Sequence, residues 1–381
     1  MKLKESGMIT ALCVGLLRLV TESIDYANIK AVIVKPVIDM SSHFPFCYDA
    51  PIAGQDVSCR RANQGLFGEL VDCCYGWAEA VKIDYDRCIY GFDEYTGQPY
   101  STMWVKKNAI KPLRDLSPSL MKAIPDLRKN QKNLVLITPW NGFSVGTRFV
   151  RAPECDTQES YACYIPQFEL EKISIEYINK ADAVLVEKRD KRTTRALFLG
   201  ILRHLIQHAA AQKEAGIVAY VWGGCSYIEA HEKADYWLDS DVWHRHKQTE
   251  MYTGYDCSGL VWRIAQTAGI NFPWKVSKLI GSEGKEVTNY ENLQNGDIIW
   301  VQGHVMIVSD IENSKLIEAA GYHGGRGYVY ECSLHERFAG ITTYQQLFEC
   351  FLNNEPVQIM NAAGIVTQTS SIRFISLLSA E

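Results

Sequence analysis

Several signatures of broad protein classes are missing from this sequence. Its twelve cysteines form no C-x-x-C pair, so the ligand spacing of the common zinc sites is absent. It has no block of basic residues and its formal net charge is −5, which gives no basis for an electrostatic grip on nucleic acid. No apolar run is long enough to span a bilayer. We therefore predict no metal site, no nucleic-acid partner and no stable membrane insertion.

What remains is an ordinary globular composition in a long chain. Apolar residues make up 47% of the 381 residues and charged residues 22%, so most of the chain is expected to fold around hydrophobic cores. A chain of this length exceeds what one core usually supports, which predicts two or three domains.

The first residues allow two interpretations. Two early lysines and the apolar stretch from Met8 to Leu17 are typical of a signal peptide, but Arg18 interrupts the stretch and no clean cleavage site follows. We favour an amphipathic helix within residues 1–29. This interpretation and the many cysteines, predicted to be reduced, favour a cytoplasmic location. A periplasmic or secreted location is the alternative if residues 1–27 act as a signal peptide.

The middle of the chain is strand-like and the rest begins with a helix. Short β-type runs broken by turn residues predict a small antiparallel barrel over 30–110, with a hairpin turn at Tyr75-Gly76. Further runs predict a second barrel, or an elaboration of the first, over 111–192. Apolar residues then recur at three- and four-residue spacing, which predicts the helix that opens the last domain, 193–381.

One cysteine is distinguished by its neighbours, in the stretch GYDCSGLVWRIAQTAGI. The apolar residues after Cys257 lie on one helical face, Gly269 follows where a helix would end, and Asp256 is a favoured N-cap residue. Cys257 is thereby predicted in the first helical turn, where unpaired N–H groups and the helix dipole favour a thiolate. A buried structural cysteine is the alternative, since most of the twelve are expected to pack in cores.

The stretch NGDIIWVQGHVMIVSDIENSKLIEAAG supplies candidates for the two other groups that a cysteine nucleophile needs, an imidazole and a group that orients it. His304 opens the apolar strand HVMIV, and KLIEAA is typical of the returning strand after a polar turn. If that turn centres on Ile311, Glu318 lies directly opposite His304. The catalytic residues predicted are therefore Cys257, His304 and Glu318.

Four short motifs follow one another in a distinctive order. They are AYVWGG at 219–224, DCSGLV at 256–261, LQNGDIIW at 293–300 and HVMIV at 304–308. Together they resemble the NlpC-type cysteine peptidases, bacterial enzymes that cut peptidoglycan peptides, over about residues 193–345. The resemblance implies an α+β fold with a papain-like catalytic domain, Cys257 as nucleophile and His304 as general base. Glu318 stands where the family most often has histidine, and a carboxylate there would hold the imidazolium more strongly.

The same resemblance implies roles for residues around the nucleophile. Tyr220 resembles a tyrosine whose hydroxyl supports an oxyanion, and Trp222 resembles a wall of the substrate pocket. Asp256 and Ser258 resemble a pair that contacts the substrate. Capping and packing are the alternative roles for these side chains.

Two departures from the family pattern lead to further predictions. Where the family has Pro-Arg followed by a small polar residue, this chain has FPWKVS, so Ser277 or Lys275 is predicted to take over that contact. A long insertion, 225–255, separates two motifs that are usually close, and we predict that it forms a lid or a partner surface.

The first barrel region resembles a bacterial SH3-like domain, in NQGLFGELVDCC, GWAEAVKI and DEYTG. In enzymes that carry such barrels before the peptidase, the barrel helps recognise a free N-terminal amine, and a buried ammonium needs an anionic partner. Glu69 is the candidate partner and Tyr95 a second wall, with a solvent-facing Glu69 as the alternative. The predicted architecture is one or two small all-β SH3-like barrels before an NlpC-type papain-like domain.

These inferences predict a cysteine endopeptidase that hydrolyses the γ-D-glutamyl-diamino acid bond of peptidoglycan stem peptides or muropeptide fragments with a free N-terminal L-Ala. The expected partners are peptidoglycan-derived peptides, and the chemistry requires no metal or organic cofactor. A cysteine amidase or acyltransferase on the same scaffold is one alternative. A catalytically silent peptidoglycan-binding protein is the other.

Overall fold

The structure is a computed structural model that describes residues 29–41, 61–76, 80–85, 88–92, 97–126, 133–187, 189–211, 217–228, 253–321 and 323–378. Three predictions fall wholly or mainly outside these ranges: the N-terminal helix or signal-like segment, Tyr95, and the middle of the 225–255 insertion.

The first part of the described chain builds a seven-stranded antiparallel sheet. Its strands are β1 (Ile29–Ile33), β2 (Val37–Ser41), β3 (Arg61–Leu66), β4 (Leu70–Gly76), β5 (Ala80–Asp84), β8 (Thr102–Lys106) and β9 (Ile110–Pro112). A small ladder of β6 (Gly91–Phe92) and β7 (Pro99–Tyr100) lies between β5 and β8 in the chain. The order across the sheet is β3-β2-β8-β5-β4-β1-β9.

The predicted hairpin over this sheet exists, but its turn was placed wrongly. Tyr75 and Gly76 belong to strand β4, where Gly76 pairs with Val81 of β5. The register shifts between Cys73 and Tyr75, and this irregularity lets the strand continue past the point where the alternation of apolar residues breaks.

The second part forms a five-stranded antiparallel sheet of its own. Its strands are β10 (Asn133–Leu136), β11 (Arg148–Arg151), β12 (Ser160–Gln167), β13 (Lys172–Asn179) and β14 (Ala183–Leu185), in the order β13-β12-β11-β10-β14. A short helix, α1 (Pro118–Lys122), precedes it and is capped by Ser117, whose hydroxyl accepts a hydrogen bond from the Leu120 N–H. Leu120, Leu134 and Phe149 are buried in a common core with residues of the first sheet.

The third part combines helices with an antiparallel sheet, which agrees with the predicted α+β class. The sheet has the order β20-β19-β18-β17-β23. Its strands are β17 (Ile298–Val301), β18 (His304–Asp310), β19 (Lys315–Ala320), β20 (Tyr328–Ser333) and β23 (Ile372–Ile375). Two-stranded ladders join β15 (Cys225–Ser226) to β16 (Gly254–Tyr255), and β21 (Val357–Met360) to β22 (Val366–Ser370).

Five helices accompany this sheet in the described residues. They are α2 (Lys191–Ala211), α3 (Cys257–Thr267), α4 (Ser277–Glu283), α5 (Leu334–Arg337) and α6 (Tyr344–Leu352). Helix α3 packs against strands β18 and β19 and against α2, while α6 packs near β23. None of the helices in the described part of the chain has the length and apolarity needed to cross a membrane.

The two faces of the third sheet belong to different hydrophobic cores. On one face Ile307 and Ile317 share a core with α2, with Trp262 of α3 and with the first sheet through Val81. On the other face Met306 packs with side chains of α6 and β23 in a second core. Helix α3 is therefore held between the third sheet and the N-terminal sheet, and burial of this extent resists displacement of the helix.

Candidate active site

The predicted nucleophile lies at the first residue of α3. Asp256 is the N-cap, and its carboxylate accepts a hydrogen bond from the Gly259 N–H. Cys257 is 9% exposed, and Gly269, just past the helix, adopts a φ of 84°. The prediction of a capped helix that begins at this cysteine and ends before Gly269 is confirmed. The positive end of the helix dipole lies at the thiol, which favours its ionised form.

Glycines allow the motif AYVWGG to approach this helix closely. A Cβ atom on Gly259 would collide with the carbonyl oxygen of Gly224, and one on Gly224 would collide with the backbone of Gly254. The Asp256 N–H donates to the same Gly224 carbonyl at 3.1 Å. The two motifs are thus in direct backbone contact beside Cys257.

The predicted base opens strand β18 directly after a tight turn. Val301 of β17 pairs with His304, so only Gln302 and Gly303 connect the two strands. Gly303 has a φ of 81°, a conformation that two-residue hairpins require and that glycine adopts without strain. The imidazole lies close enough to the Cys257 side chain for that side chain to raise its pKa.

The predicted partner of His304 is present, but the strand register differs from the prediction. Ile307 pairs with Ile317 and Val308 with Leu316, so the hairpin is centred one residue later than Ile311. Continued along the strands, this register puts His304 and Glu318 on a diagonal instead of directly opposite each other. A longer turn and an irregularity between Val308 and Asp310 account for the difference. Moving the centre of the hairpin by one residue changes the residue that lies opposite His304 by two positions. Side chains two positions apart on a strand point to the same face, so His304 and Glu318 still share a face. Diagonal neighbours of this kind are within reach of long side chains.

His304 lies between two acidic groups. Its Nε2 is 2.7 Å from Oε2 of Glu318, which leaves Nδ1 as the ring nitrogen for the Cys257 thiol. Burial lowers the pKa of His304, but the charge and hydrogen bond of Cys257, followed by those of Glu318, outweigh it and raise the pKa to about 9. The site therefore favours the imidazolium form of His304.

Glu318 is fully buried and is held by three side chains. Besides His304, the Tyr330 hydroxyl donates to its Oε1, and Nε of Arg337 lies 2.8 Å from the same oxygen. Burial raises the pKa of Glu318, but the hydrogen bond to His304 and the charge of Arg337 overcome this and lower it. The carboxylate therefore stays ionised, as an orienting group for His304 must.

The predicted substrate pair next to the nucleophile is engaged within the protein. Nζ of Lys275 lies 2.9 Å from Oδ2 of Asp256, and the Ser258 hydroxyl donates to Oδ1 at 3.2 Å. Burial lowers the pKa of Lys275, but the charge of Asp256 raises it well above its ordinary value. In this geometry Asp256 caps α3 with the support of Ser258 and Lys275, and the substrate contact of Asp256 and Ser258 stays a prediction.

Three other predicted residues differ in their surroundings. Tyr220 is half-buried, and burial followed by the charges of Cys257 and Asp256 raises its pKa well above the ordinary value. Its hydroxyl thus stays protonated and able to donate. Trp222 is 58% exposed, which suits a pocket wall. Ser277 is the first residue of α4, where its carbonyl accepts a hydrogen bond from the Trp300 indole at 2.8 Å.

Glu69 is engaged within the protein, and its role as the partner of an incoming amine stays a prediction. Its Oε1 lies 2.6 Å from Nη1 of Arg263 on α3, and its Oε2 accepts hydrogen bonds from the Tyr85 hydroxyl and the Leu66 N–H. Arg263 also donates to the carbonyl oxygen of Gln64 at 2.9 Å. The nucleophile helix thus carries its own buried cation into the N-terminal sheet. Both oxygens of Glu69 compensate that cation and its neighbours.

The insertion has a well-defined base. Strands β15 and β16 pair with each other, and Thr253 exchanges hydrogen bonds of 3.2 Å with the backbone N–H and carbonyl of Ile228. Both ends of the predicted 225–255 insertion therefore belong to the body of the domain, and residues 229–252 between them lie outside the described residues.

Sequence reasoning missed three partners of the site. Arg337 and Tyr330 hold Glu318, and Arg263 joins the nucleophile helix to Glu69. A usable signal existed for Arg263, a charged residue within the apolar run LVWRIA, because a cation at such a position must find a buried anion. No group of three or more histidine, cysteine, aspartate or glutamate residues within the described ranges has the arrangement of a metal site.

Comparisons with known proteins complete this description. No curated protein matches the chain. Among solved structures, an NlpC/P60 family protein from Bacillus cereus ATCC 10987 is 16% identical, with a TM-score of 0.48 over 80% of this chain and 94% of that one. NlpC1 from Trichomonas vaginalis is 11% identical, with a TM-score of 0.31 over 92% of this chain and 94% of that one. Residues 217–339, which contain Cys257, His304, Glu318 and Arg337, match the family model of the NlpC/P60 family.

Proposed function

We propose that this protein is a cysteine hydrolase of peptidoglycan-derived peptides and that it cleaves the γ-D-glutamyl-diamino acid bond. The family match supports the coarser part, a cysteine peptidase or amidase related to peptidoglycan. The observation that carries the proposal is the continuous contact from Cys257 through His304 to Glu318 at the N-terminus of α3. The finer assignment of the bond follows the resemblance of the four motifs.

The reaction would begin with the Cys257 thiolate attacking the γ-carbonyl carbon of the glutamyl residue. The carbonyl oxygen gains negative charge near the helix N-terminus and the protonated Tyr220 hydroxyl, both suited to stabilise an oxyanion. As the C–N bond breaks, His304 gives its proton to the departing amine of the diamino acid, and a thioester remains on Cys257.

Hydrolysis of the thioester returns the site to its starting form. Neutral His304 takes a proton from water, and the resulting hydroxide attacks the thioester carbon. The C–S bond then breaks, releasing the free γ-carboxyl product and restoring thiolate beside imidazolium. Glu318 keeps one ring nitrogen of His304 occupied throughout, so the other faces the reacting atoms.

Recognition of a free N-terminal amine is a separate part of the proposal, with Glu69 as the predicted anion. Both oxygens of that carboxylate are engaged by Arg263, Tyr85 and Leu66. The likeness of the first sheet to SH3-like domains likewise belongs to the proposal and not to the site geometry. We therefore treat the amine requirement as a variable of the experiment.

The deciding experiment is mass spectrometry of products from L-Ala-γ-D-Glu-meso-diaminopimelate, free and N-acetylated, with wild type and Cys257→Ala. We expect wild type to release the diamino acid, and Cys257→Ala to release none. Equal cleavage of the acetylated peptide would remove the amine requirement but keep the bond assignment. Intact peptide with folded wild type would overturn the assignment, and binding of muropeptide by both proteins without product would favour a silent binding protein.

A further inference from the structure

Arg337 is a buried cation that the proposed chemistry does not use directly. Its side chain is 5% exposed, and its Nε lies 2.8 Å from Oε1 of the fully buried Glu318. The N–H is not aligned for a hydrogen bond, so the contact is chiefly electrostatic. A second guanidinium nitrogen, Nη1, donates to the carbonyl oxygen of Met360 on β21.

The groups that surround Glu318 come from three elements. His304 reaches it from β18, Tyr330 and the Cys332 thiol from β20, and Arg337 from α5. Of these, Arg337 alone carries a charge that does not change with pH in the range where enzymes work. The other three are neutral or titratable.

The charges along the site alternate in its reactive form. The Cys257 thiolate, the His304 imidazolium, the Glu318 carboxylate and the Arg337 guanidinium sum to zero. Without the guanidinium the reactive form would carry a net negative charge inside a low-dielectric environment. Either Glu318 would then take up a proton and support the imidazolium less, or Cys257 would keep its proton. Both routes reduce the thiolate population at neutral pH.

We propose that Arg337 is a positioning residue for the acid–base chain: it balances the charge of Glu318 and thereby keeps the Cys257 thiolate populated near neutral pH. The anchor of Arg337 lies on the C-terminal hairpin β21–β22, since the Ala339 N–H also donates to the Gln358 carbonyl at 3.0 Å. Met360 and Gln358 lie beyond the residues that match the family, 217–339. The hairpin is therefore part of the machinery that holds the site.

The catalytic meaning of this inference rests on the proposed function, but its test needs no substrate. The rate of alkylation of Cys257 by iodoacetamide follows the thiolate population and rises with pH to a plateau. In Arg337→Gln we expect the half-rise of this curve to move to higher pH by about one unit, the usual size of a neighbouring charge effect. Arg337→Lys, which keeps the charge, should stay within about half a unit of wild type.

The alkylation rate of each protein is corrected by the rate of the same protein with the added substitution Cys257→Ala, so that labelling of other thiols is subtracted. Arg195→Gln is the matched control, because it breaks an equally buried pair, with Asp297 at 2.6 Å, that does not contact the site. A wild-type curve for Arg337→Gln, or an equal shift in Arg195→Gln, would leave Arg337 with a structural role only.

The double variant Arg337→Gln/Glu318→Gln covers the case in which the single variant does not fold. It leaves no buried charge unpaired, which usually preserves folding. Its alkylation curve should move to higher pH by about one unit, because a neutral residue 318 supports the imidazolium less, whereas a curve within about half a unit of wild type would contradict charge balance as the role of Arg337. If wild type cleaves no peptide but the curves shift as expected, the proposed function fails and this inference stands.

Discussion

Two carboxylates in this molecule, Glu69 partly buried and Glu318 fully buried, have similar surroundings and different consequences. Glu69 pairs with Arg263 and accepts a hydrogen bond from the Tyr85 hydroxyl. Glu318 pairs with an arginine, Arg337, and likewise accepts from a tyrosine hydroxyl. Each carboxylate is therefore compensated by one permanent cation and one neutral donor.

The third partner separates the two sites. For Glu69 it is the backbone N–H of Leu66, and for Glu318 it is the imidazole of His304. A backbone amide keeps one charge state at all working pH values, whereas an imidazole changes its charge near neutrality. The cluster around Glu69 can thus only anchor α3 to the N-terminal sheet, while the cluster around Glu318 can relay a change of protonation. The chemistry of the third partner therefore distinguishes the two carboxylates, in addition to the greater burial of Glu318.

Removing the thiol should have the largest effect and leave both clusters intact. We expect Cys257→Ala to lower the rate of product formation at least about a thousandfold, because no other described group at the site can form the thioester. The melting temperature should change by no more than a few degrees. Cys163→Ala, a buried thiol of the second sheet, is the control and should retain wild-type activity.

Removing the ion pair between Arg263 and Glu69 should lower the free energy of unfolding and leave the activity of the folded protein unchanged. Arg263→Gln leaves Glu69 buried without its cation, and we expect the free energy of unfolding in urea to fall by about 3–5 kcal/mol. At a temperature where this variant is fully folded, the pH profile of its activity should match that of wild type. A displaced profile in the folded variant would mean that the anchor also acts on the protonation of the site.

The imidazole of His304 should make the free energy of unfolding depend on pH in the alkaline range. The folded-state pKa of His304 is about 9, above its ordinary value of about 6.5 in an unfolded chain, so its contribution is fully present below pH 6.5 and is lost as pH rises toward 9. Relative to His304→Asn, wild type should lose about 3 kcal/mol of unfolding free energy between pH 6 and 10. A constant difference between the two proteins over this range would contradict the ion-paired arrangement.

Matched substitutions of the two carboxylates should give the smallest but most direct contrast. In Glu318→Gln the loss of negative charge lowers the pKa of His304, so the alkaline limb of the activity profile should move down from about pH 9 by about one unit. Activity at the optimum should fall about tenfold. Glu69→Gln should leave the limb in place, and an equal shift in both variants would erase the distinction between anchor and relay.

The features of the site that could be predicted from the sequence are those that neighbouring residues in the chain determine. The capped helix at Cys257 followed from Asp256 and the apolar spacing after it, because capping and amphipathicity act within a few residues. The family resemblance followed from four motifs and was confirmed over residues 217–339 at the level of the family. The bond that is cleaved and the roles of individual side chains remain predictions.

What sequence missed depends on long-range pairing. The diagonal placement of His304 and Glu318 depends on turn length and a strand irregularity, which alternation alone does not encode. Glu69 looked free because its partner, Arg263, stands 194 residues away along the chain. A buried charge predicts that an opposite charge exists, but the tertiary fold decides which one meets it.

The hydrogen bonds between Ile228 and Thr253 have a consequence for changes in the length of the chain between these residues. Ile228 and Thr253, which flank residues 229–252 in the sequence, are joined by two hydrogen bonds, three residues before Asp256. For a loop whose ends are already joined, the entropy of closure grows only slowly with length. Because these hydrogen bonds fix the chain just before the nucleophile helix, we expect a change of chain length between residues 228 and 253 to have little effect on the position of that helix.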